Sequence, residues 1–388
     1  MKDYYCNQKF YQLKINAEKK VIYSCCRADQ ENIDVNWLKD NPGELFNTPN
    51  LIQERKSMLS NERIPGCEKA CWQNEDKGIQ SRRLQSENKE RITTLRNKPT
   101  QLDITLSSEC NLACSYCCKQ YSSTWRKDIE VNGDYKGLSN HNDRYALNNF
   151  DRVLKKLSQK KRQQTTVAEL VNTEIDMMAD GLNSVTVTGG EPLLDHRFSD
   201  MIQKFKNTKS VVVHSGLGVS ENVLRRGLDA MSDTQNKVTL NISAESIGKN
   251  FEFNRQGSNW ETFLRYIDII KEYDVAIQFA STYSNLNIMD YVKFNTVFHE
   301  YPISMNMVYD PAFMSVYNLD GETKKQVIND IKQSRLSNSK NANEIINTIN
   351  QPTNEKLRQE LRYFIQEFTR RRKISIDFMP ESFKTWIK

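Results

Sequence analysis

Residues 110–117 are Cys110-Asn111-Leu112-Ala113-Cys114-Ser115-Tyr116-Cys117, three cysteines in the spacing C-x3-C-x2-C. They follow Leu102–Leu106, where apolar and polar residues alternate as in a half-buried strand. We therefore expect the cysteines on a loop at the carboxyl end of a strand, where α/β sheets and barrels bind their ligands. A four-iron cluster usually takes four cysteines, so a loop that supplies three leaves one iron open to an outside ligand.

Two simpler interpretations of this loop stay open. The cysteines could be half of a zinc site, although ribbon-type zinc sites pair two C-x2-C elements and no second element follows nearby. They could also be apolar thiols buried in a core. The adjacent Cys118 is not needed by the C-x3-C-x2-C spacing.

The composition is that of a polar globular protein. The chain has 388 residues, enough for one large and one smaller domain, and a mean hydropathy of −0.71. A net charge of +6 is mild for this length, so we expect no nucleic-acid partner. No apolar run is long enough for a membrane span and the first residues lack a signal peptide, which predicts a cytoplasmic protein. Nine cysteines in a reducing compartment indicate metal binding rather than disulfides.

A second motif follows the next predicted strand, Ser184–Thr188, as Gly189-Gly190-Glu191-Pro192-Leu193. Two glycines at a strand end let the backbone approach a ligand without a Cβ clash. The exposed backbone and the Glu191 carboxylate can then accept hydrogen bonds from an ammonium group. The motif is weak evidence alone, but it is specific when it follows the cysteine loop on the preceding strand.

Together these motifs resemble the radical S-adenosylmethionine (radical SAM) superfamily. The resemblance implies a 4Fe–4S cluster with the ligands Cys110, Cys114 and Cys117. In that family the open iron binds SAM, and one electron from the cluster cleaves SAM to a 5′-deoxyadenosyl radical. The cofactor-binding residues implied are Tyr116, Gly189, Gly190, Glu191, Ser215, Ser243, Glu245 and Arg255. His214-Ser215-Gly216 departs from the usual Thr-Asn-Gly of the third strand.

The same resemblance and the alternation of strand-like and helix-like stretches imply an α/β fold, a partial (β/α)6 TIM-like barrel. We expect a small cysteine-rich α+β module and linker at residues 1–95, the radical SAM core at 96–310 and a helical extension at 311–388. In the extension we predict helices at 321–331 and 356–371, a mobile Ser/Asn-rich linker at 334–354 and a short edge strand at 374–378.

The amino-terminal region carries a second cysteine set, Cys6, Cys25, Cys26, Cys67 and Cys71. A predicted hairpin between residues 10 and 24 would bring Cys6 and Cys25 to the same end. Cys67 and Cys71 lie four apart, on one face if helical. Four thiolates from these pieces could enclose a cluster or a zinc ion.

This pattern resembles the twitch and SPASM auxiliary-cluster modules of radical SAM enzymes. The motif after Cys71 includes Glu75, Gly78 and Ser81-Arg82-Arg83, whereas the Pro-Trp expected after Cys6 is absent. The resemblance implies a second 4Fe–4S cluster, for which Cys25 is chosen over Cys26. The ligands would be Cys6, Cys25, Cys67 and Cys71.

The hypothesis that follows is a radical SAM oxidoreductase or transferase. It would abstract hydrogen from a small-metabolite or peptide substrate and receive electrons from an external donor such as flavodoxin or ferredoxin. The alternatives are a zinc-stabilised, non-catalytic binding protein and a degenerate relative that binds SAM but does little chemistry. The zinc alternative leaves the Gly-Gly-Glu motif and Arg255 without a role.

Overall fold

The structure is a computed structural model that describes residues 3–78, 81–85, 91–139, 142–147, 161–234 and 238–387. The chain divides into two compact units. The first comprises Met1–Ser107, Leu157–Val213 and Asp229–Val238. The second comprises Ser108–Lys156, His214–Leu228 and Thr239–Lys388.

The first unit is built on a mainly parallel sheet. Its strands are β1 (Gln12–Asn16), β2 (Val21–Tyr23), β3 (Glu31–Asn32), β4 (Gln101–Thr105), β5 (Ser184–Thr188) and β6 (Ser210–Ser215). They are hydrogen-bonded in the order β3-β2-β1-β4-β5-β6. The amino-terminal hairpin β1–β2 is antiparallel, while β1, β4, β5 and β6 are parallel neighbours. The hairpin thus extends the same sheet as β4 and β5, the strands that precede the cysteine loop and the Gly-Gly-Glu motif in the sequence.

Apolar residues, which alternate with polar residues along these strands, form the core of the first unit. The register places Leu13 beside Leu102, Leu102 beside Val185 and Val185 beside Val211. All four side chains are fully buried, whereas their neighbours along each strand are polar or partly exposed on the other face. One face of the sheet is therefore covered by apolar packing, and the motifs follow the strand ends.

The second unit contains β7 (Val238–Ser243), β8 (Val275–Tyr283) and β9 (Ile303–Met307), in the order β7-β8-β9. β8 and β9 are parallel, with Phe279 opposite Ile303. Phe279 packs against Phe294 and Phe298 of the following helix, at ring-centroid distances of 5.5 and 4.6 Å. These contacts hold the strand and its helix together.

Helices connect the strands and make up the carboxyl-terminal region. Over the described residues they are α1 (Gln8–Tyr11), α2 (Val35–Asp40), α3 (Pro49–Leu59), α4 (Gln73–Asp76), α5 (Arg82–Gln85), α6 (Ser123–Asn132), α7 (Asn142–Tyr145), α8 (Lys161–Ala179), α9 (Phe198–Gln203), α10 (Glu221–Ser232), α11 (Gly248–Asn254), α12 (Trp260–Lys271), α13 (Tyr291–Val297), α14 (Gly321–Gln333), α15 (Lys340–Ile349), α16 (Glu355–Arg372) and α17 (Glu381–Ile387). The predicted α/β architecture, a parallel-strand core consistent with a partial TIM-like barrel plus a helical carboxyl-terminal region, is confirmed.

Two local predictions in the carboxyl-terminal region are wrong. The stretch 334–354, predicted as a mobile linker, contains α15, which is capped by Ser339 and buries Ile345 and Ile349. The residues at 374–378, predicted as an edge strand, are irregular at 374–376 and form a turn at 377–378. α16 ends at Lys373 in a left-handed conformation, and the Ile374 N–H then bonds back to Thr369. The chain therefore folds back on the helix end instead of running extended along a sheet.

Candidate functional site

The cysteine loop lies in the second unit and gathers its three thiols. Cys110 and Cys114 are each 8% exposed and pack with Leu112, while Cys117 is half-buried beside them. Burial raises the pKa of the Cys117 thiol well above its ordinary value, and the thiols of Cys114, Cys118 and Cys110 raise it further. A bound metal centre would stabilise the thiolate forms of these cysteines. The loop supplies three cysteines, the number that a cluster with one open iron takes from the protein. Over the described residues, no group of three or more His, Cys, Asp or Glu side chains is itself arranged to hold a metal ion.

The loop is anchored to the segment that follows α11. The Ala113 and Ser115 N–H groups donate to the carbonyls of Gln256 and Asn254, at 2.9 and 2.8 Å. Gly257 adopts φ +105°, and a Cβ there would lie 2.9 Å from the Asn111 carbonyl oxygen. A residue with a side chain would be both strained and too close at this position. Glycine at 257 therefore lets the two segments meet.

A buried ion pair lies next to the loop. Arg255 Nη2 donates to Glu245 Oε2 at 2.6 Å and to the Tyr116 hydroxyl, and Tyr116 donates to the same carboxylate oxygen at 3.0 Å. Arg255 Nη1 also points at the Cys114 sulfur, 3.7 Å away. The structure thus brings together Tyr116, Glu245 and Arg255 with a predicted cluster ligand.

The electrostatics of this group reflect its complete burial. Burial raises the pKa of Glu245, and Arg255 partly offsets that rise. Burial alone lowers the pKa of Arg255, yet Glu245, Tyr116 and Cys114 together raise it above its ordinary value, so it remains a cation. Arg255 Nε is buried and has no hydrogen-bond partner among the described residues. An unpaired guanidinium N–H beside the thiols fits the carboxylate of a bound SAM.

Ser215 and Ser243, two further residues predicted to contact SAM, lie at the ends of β6 and β7. Ser215 is buried, and its hydroxyl accepts a local hydrogen bond from the Leu217 N–H at 3.0 Å. Ser243 is half-buried at the end of β7. His214, the departure from the usual third-strand motif, lies 3.5 Å from the Asn241 amide. The contact of both serines with SAM stays a prediction.

The Gly-Gly-Glu motif lies in the first unit. A Cβ at Gly189 would come within 2.7 Å of the Ser107 carbonyl oxygen, and the Gly190 N–H donates to that same oxygen at 2.8 Å. The glycines therefore allow β5 to pass close to the residue after β4. The buried Glu191 carboxylate caps the turn Pro192–Leu194 by accepting from the Leu193 N–H at 3.4 Å. Its contact with the SAM amino group likewise stays a prediction.

The amino-terminal cysteines form a second group, within the first unit. Cys6, Cys67 and Cys71 share one buried cluster with Trp72. Burial raises the pKa of Cys67 to about 12, and Cys6 and Cys71 raise it while Lys9 lowers it. A hydrogen bond with Cys26 and burial raise the pKa of the Cys25 thiol, and Cys6 adds a smaller rise. Cys25 is buried and Cys26 is exposed, which favours Cys25 as the fourth ligand.

Sequence reasoning quoted Glu75, Ser81 and Arg83 but assigned them no role. Arg83 forms a bidentate ion pair with Glu75 at 2.6 and 3.0 Å, and Ser81 donates to the same carboxylate at 2.5 Å. Arg83 also donates to the Tyr5 carbonyl at 2.9 Å. The motif therefore ties the segment after Cys71 to the residue before Cys6.

Replacing Arg83 by lysine should destabilise this region. A lysine keeps the charge but cannot make the two-point contact with Glu75 and the bond to Tyr5, so we expect a loss of about 2 kcal/mol. The free energy of unfolding of the metal-free protein, from urea denaturation, measures the loss. Arg91→Lys is the control, because Arg91 forms a pair with Asp3 that is about half exposed on both sides. An equal, small change in both variants would contradict a bracing role for Arg83.

The sequence did not lead us to two further parts of these sites, which are Lys9 and residues 122–125. Lys9 is buried and pairs with Glu54 at 2.5 Å, which places a cation beside the amino-terminal thiols. Residues 122–125, at the start of α6, hold the backbone of the cysteine loop. The run Ser-Ser-Thr-Trp shortly after the last cysteine could have marked this second element.

One of three comparisons with known proteins, the match to a family model, agrees with the core motifs. The model of the Radical SAM superfamily matches residues 104–293. No curated protein is significantly similar to this chain. Solved structures with similarity include Streptococcus suis SuiB bound to the precursor peptide SuiA (13% identity, TM-score 0.34, covering 85% of this chain and 70% of that chain) and SuiB bound to S-adenosylmethionine (12% identity, TM-score 0.33, 85% and 69%). Residues 104–293 of this chain therefore form a radical SAM superfamily domain.

Proposed function

We propose that this chain is a radical SAM enzyme with a second, auxiliary iron–sulfur cluster. The observation that carries the proposal is the meeting of Cys110, Cys114 and Cys117 beside the buried Glu245–Arg255 pair, within the residues that match the family. When bound, the 4Fe–4S cluster and SAM supply a 5′-deoxyadenosyl radical, which abstracts a hydrogen atom from a small-metabolite or peptide substrate.

The protein residues have separate tasks in this proposal. Cys110, Cys114 and Cys117 hold the cluster, and Arg255 offers its free N–H to the SAM carboxylate. Tyr116 and Glu245 hold the guanidinium in place and keep it charged. Because the Glu245–Arg255 pair is buried, water is excluded from the guanidinium that would meet the SAM carboxylate.

The amino-terminal thiols support the auxiliary cluster. Cys6, Cys67 and Cys71 share one buried environment, and soft thiolate ligands select iron–sulfur clusters or zinc. The buried Cys25 is proposed as the fourth ligand. The auxiliary cluster would bind substrate or accept an electron, and an external donor such as flavodoxin or ferredoxin would supply the reducing electron. A reducing, cytoplasmic location, in which the nine cysteines would be available to metal, is part of this proposal. No helix in the described part of the chain has the length and apolar character needed to cross a membrane.

The proposal is tested by counting iron and sulfide after anaerobic reconstitution, then adding dithionite and SAM and assaying 5′-deoxyadenosine. We expect about eight irons per chain, from two four-iron clusters, together with deoxyadenosine. About four irons with deoxyadenosine would keep the enzyme and exclude the auxiliary cluster. Zinc without iron, and no deoxyadenosine, would overturn the proposal in favour of a zinc-stabilised binding protein.

Replacing Cys67 by serine should remove the auxiliary cluster alone. We expect about four irons per chain to remain, because the ligands of the other cluster lie on a separate loop. Iron analysis and electron paramagnetic resonance of the reduced protein measure the loss. Cys26→Ser is the matched control, since Cys26 is exposed and should retain the full iron content. Loss of iron in Cys26→Ser but not in Cys67→Ser would reverse the assignment of ligands.

A further inference from the structure

The start of α6 lies against the first cysteine of the cluster loop. The Thr124 hydroxyl donates to the Cys110 carbonyl at 2.6 Å. Ser123 Oγ lies 3.1 Å from the same carbonyl and accepts from the Cys110 N–H at 3.0 Å. Both backbone polar groups of Cys110 are therefore satisfied by two consecutive side chains of one helix.

The neighbouring side chains hold the next part of the loop. The Ser122 hydroxyl donates to the Leu112 carbonyl at 2.7 Å while it caps the helix by accepting from the Trp125 N–H. Trp125 Nε1 donates to the Cys114 carbonyl at 2.8 Å. Residues 122–125, which we name the α6 clamp, thus bind three backbone carbonyls of the loop.

The hydrogen bonds of the α6 clamp hold the backbone around a further contact, which is made to the sulfur of a proposed cluster ligand. The Leu112 N–H points at the Cys110 sulfur from 3.4 Å, and the α6 clamp holds the backbone of both residues. Hydrogen bonds to the ligand sulfurs, together with burial, set the reduction potential of an iron–sulfur cluster. Outer partners of metal ligands also fix the ligand geometry. The clamp is therefore in a position to control a property of the cluster without touching it.

Trp125 links the clamp to α16. Its side chain is fully buried, with the Arg372 guanidinium 4.6 Å from its ring and the Phe368 ring 5.9 Å away. Arg372 also pairs with Asp128 on α6 at 3.4 Å. A cation stacked on an aromatic ring and paired with a carboxylate restricts both helices. The carboxyl-terminal region, in which the sequence shows no chemistry, thereby supports the clamp.

We propose that Thr124 and Trp125 are positioning residues that pre-form the cluster loop before iron binds and maintain the N–H···S contact afterwards. The cluster part of this proposal rests on the proposed function, whereas pre-formation of the loop concerns the metal-free chain. Because the protein supplies these bonds, the loop would not need the cluster to order it.

Alkylation of the metal-free, reduced protein tests pre-formation. In Thr124→Val, which replaces the hydroxyl by a methyl group, and Trp125→Phe, which removes the indole N–H together with part of the ring, we expect Cys110 and Cys114 to react with iodoacetamide about tenfold faster, because the loop opens more often. Mass spectrometry of the separate peptides measures each rate. Thr369→Val and Trp260→Phe are the controls: Thr369 donates to the Ile365 carbonyl within α16, and Trp260 stacks on Phe263 in α12.

Reconstituted protein tests the effect on the cluster. We expect Thr124→Val to lower the reduction potential of the SAM-binding cluster and to lose iron to a chelator about tenfold faster. Unchanged alkylation rates and potential, with only a lower melting temperature, would overturn the proposal by showing that the clamp is structural. Should Trp125→Phe fail to fold, Thr124→Val decides the outcome. A wild-type protein that takes up no iron would refute the proposed function but leave the alkylation comparison valid.

Discussion

The Cys114→Ala variant is expected to form no 5′-deoxyadenosine and to lose about four irons per chain. The C-x3-C-x2-C motif supplies three thiols, so removal of one leaves two of the proposed ligands for a cluster that needs three. The Cys114 sulfur also receives the Arg255 Nη1 contact at 3.7 Å, which the alanine removes. Iron and sulfide analysis, with chromatographic detection of deoxyadenosine after addition of dithionite and SAM, measures both losses.

The adjacent Cys118→Ala variant is the matched control. Cys118 is buried and follows Cys117 directly, but its thiol is not needed by the C-x3-C-x2-C spacing. We expect it to keep its iron and its deoxyadenosine yield. A normal yield from Cys114→Ala would refute the assignment of that cysteine, and loss of iron in Cys118→Ala instead would move the ligand assignment by one residue.

The second large effect is expected from Arg255→Leu. Its guanidinium and the Glu245 carboxylate are 4% and 0% exposed, and removal of the cation leaves a buried acid without its partner. Breaking such a pair costs about 3–5 kcal/mol of stability. The variant should also lose SAM binding, because no N–H remains for the SAM carboxylate. Urea denaturation of the metal-free protein and equilibrium dialysis of SAM against reconstituted protein measure the two losses.

Two further variants separate the charge from the packing. In Arg255→Leu/Glu245→Leu we expect much of the stability to return, because no buried charge is left unpaired, while SAM binding stays lost. Lys249→Leu breaks the exposed pair with Glu252 and should leave stability and SAM binding unchanged. If Arg255→Leu is no less stable than Lys249→Leu, the ion pair does not hold this site together.

Local patterns were sufficient for the elements that carry the motifs. The predicted strand at 184–188 matches β5 residue by residue, since alternation is a property of neighbouring positions. The same local reasoning was wrong at 334–354, where Ser and Asn suggested a linker. There Ser339 instead caps α15, and Ile345 and Ile349 are buried against the carboxyl-terminal core. A few apolar residues at helical spacing outweighed the polar composition.

The sequence alone determined the three-cysteine loop, the Gly-Gly-Glu motif and the α/β order of the core, because each depends on residues a few positions apart. Only the tertiary structure decided which distant side chains serve the loop. Tyr116 and Glu245 are 129 positions apart and share a hydrogen bond, and Trp125 meets Arg372 from the last long helix. The tertiary structure also buries Cys25 and leaves Cys26 exposed. Such pairings depend on how complete helices and strands pack around a core, and the spacing of residues along the chain does not predict that packing.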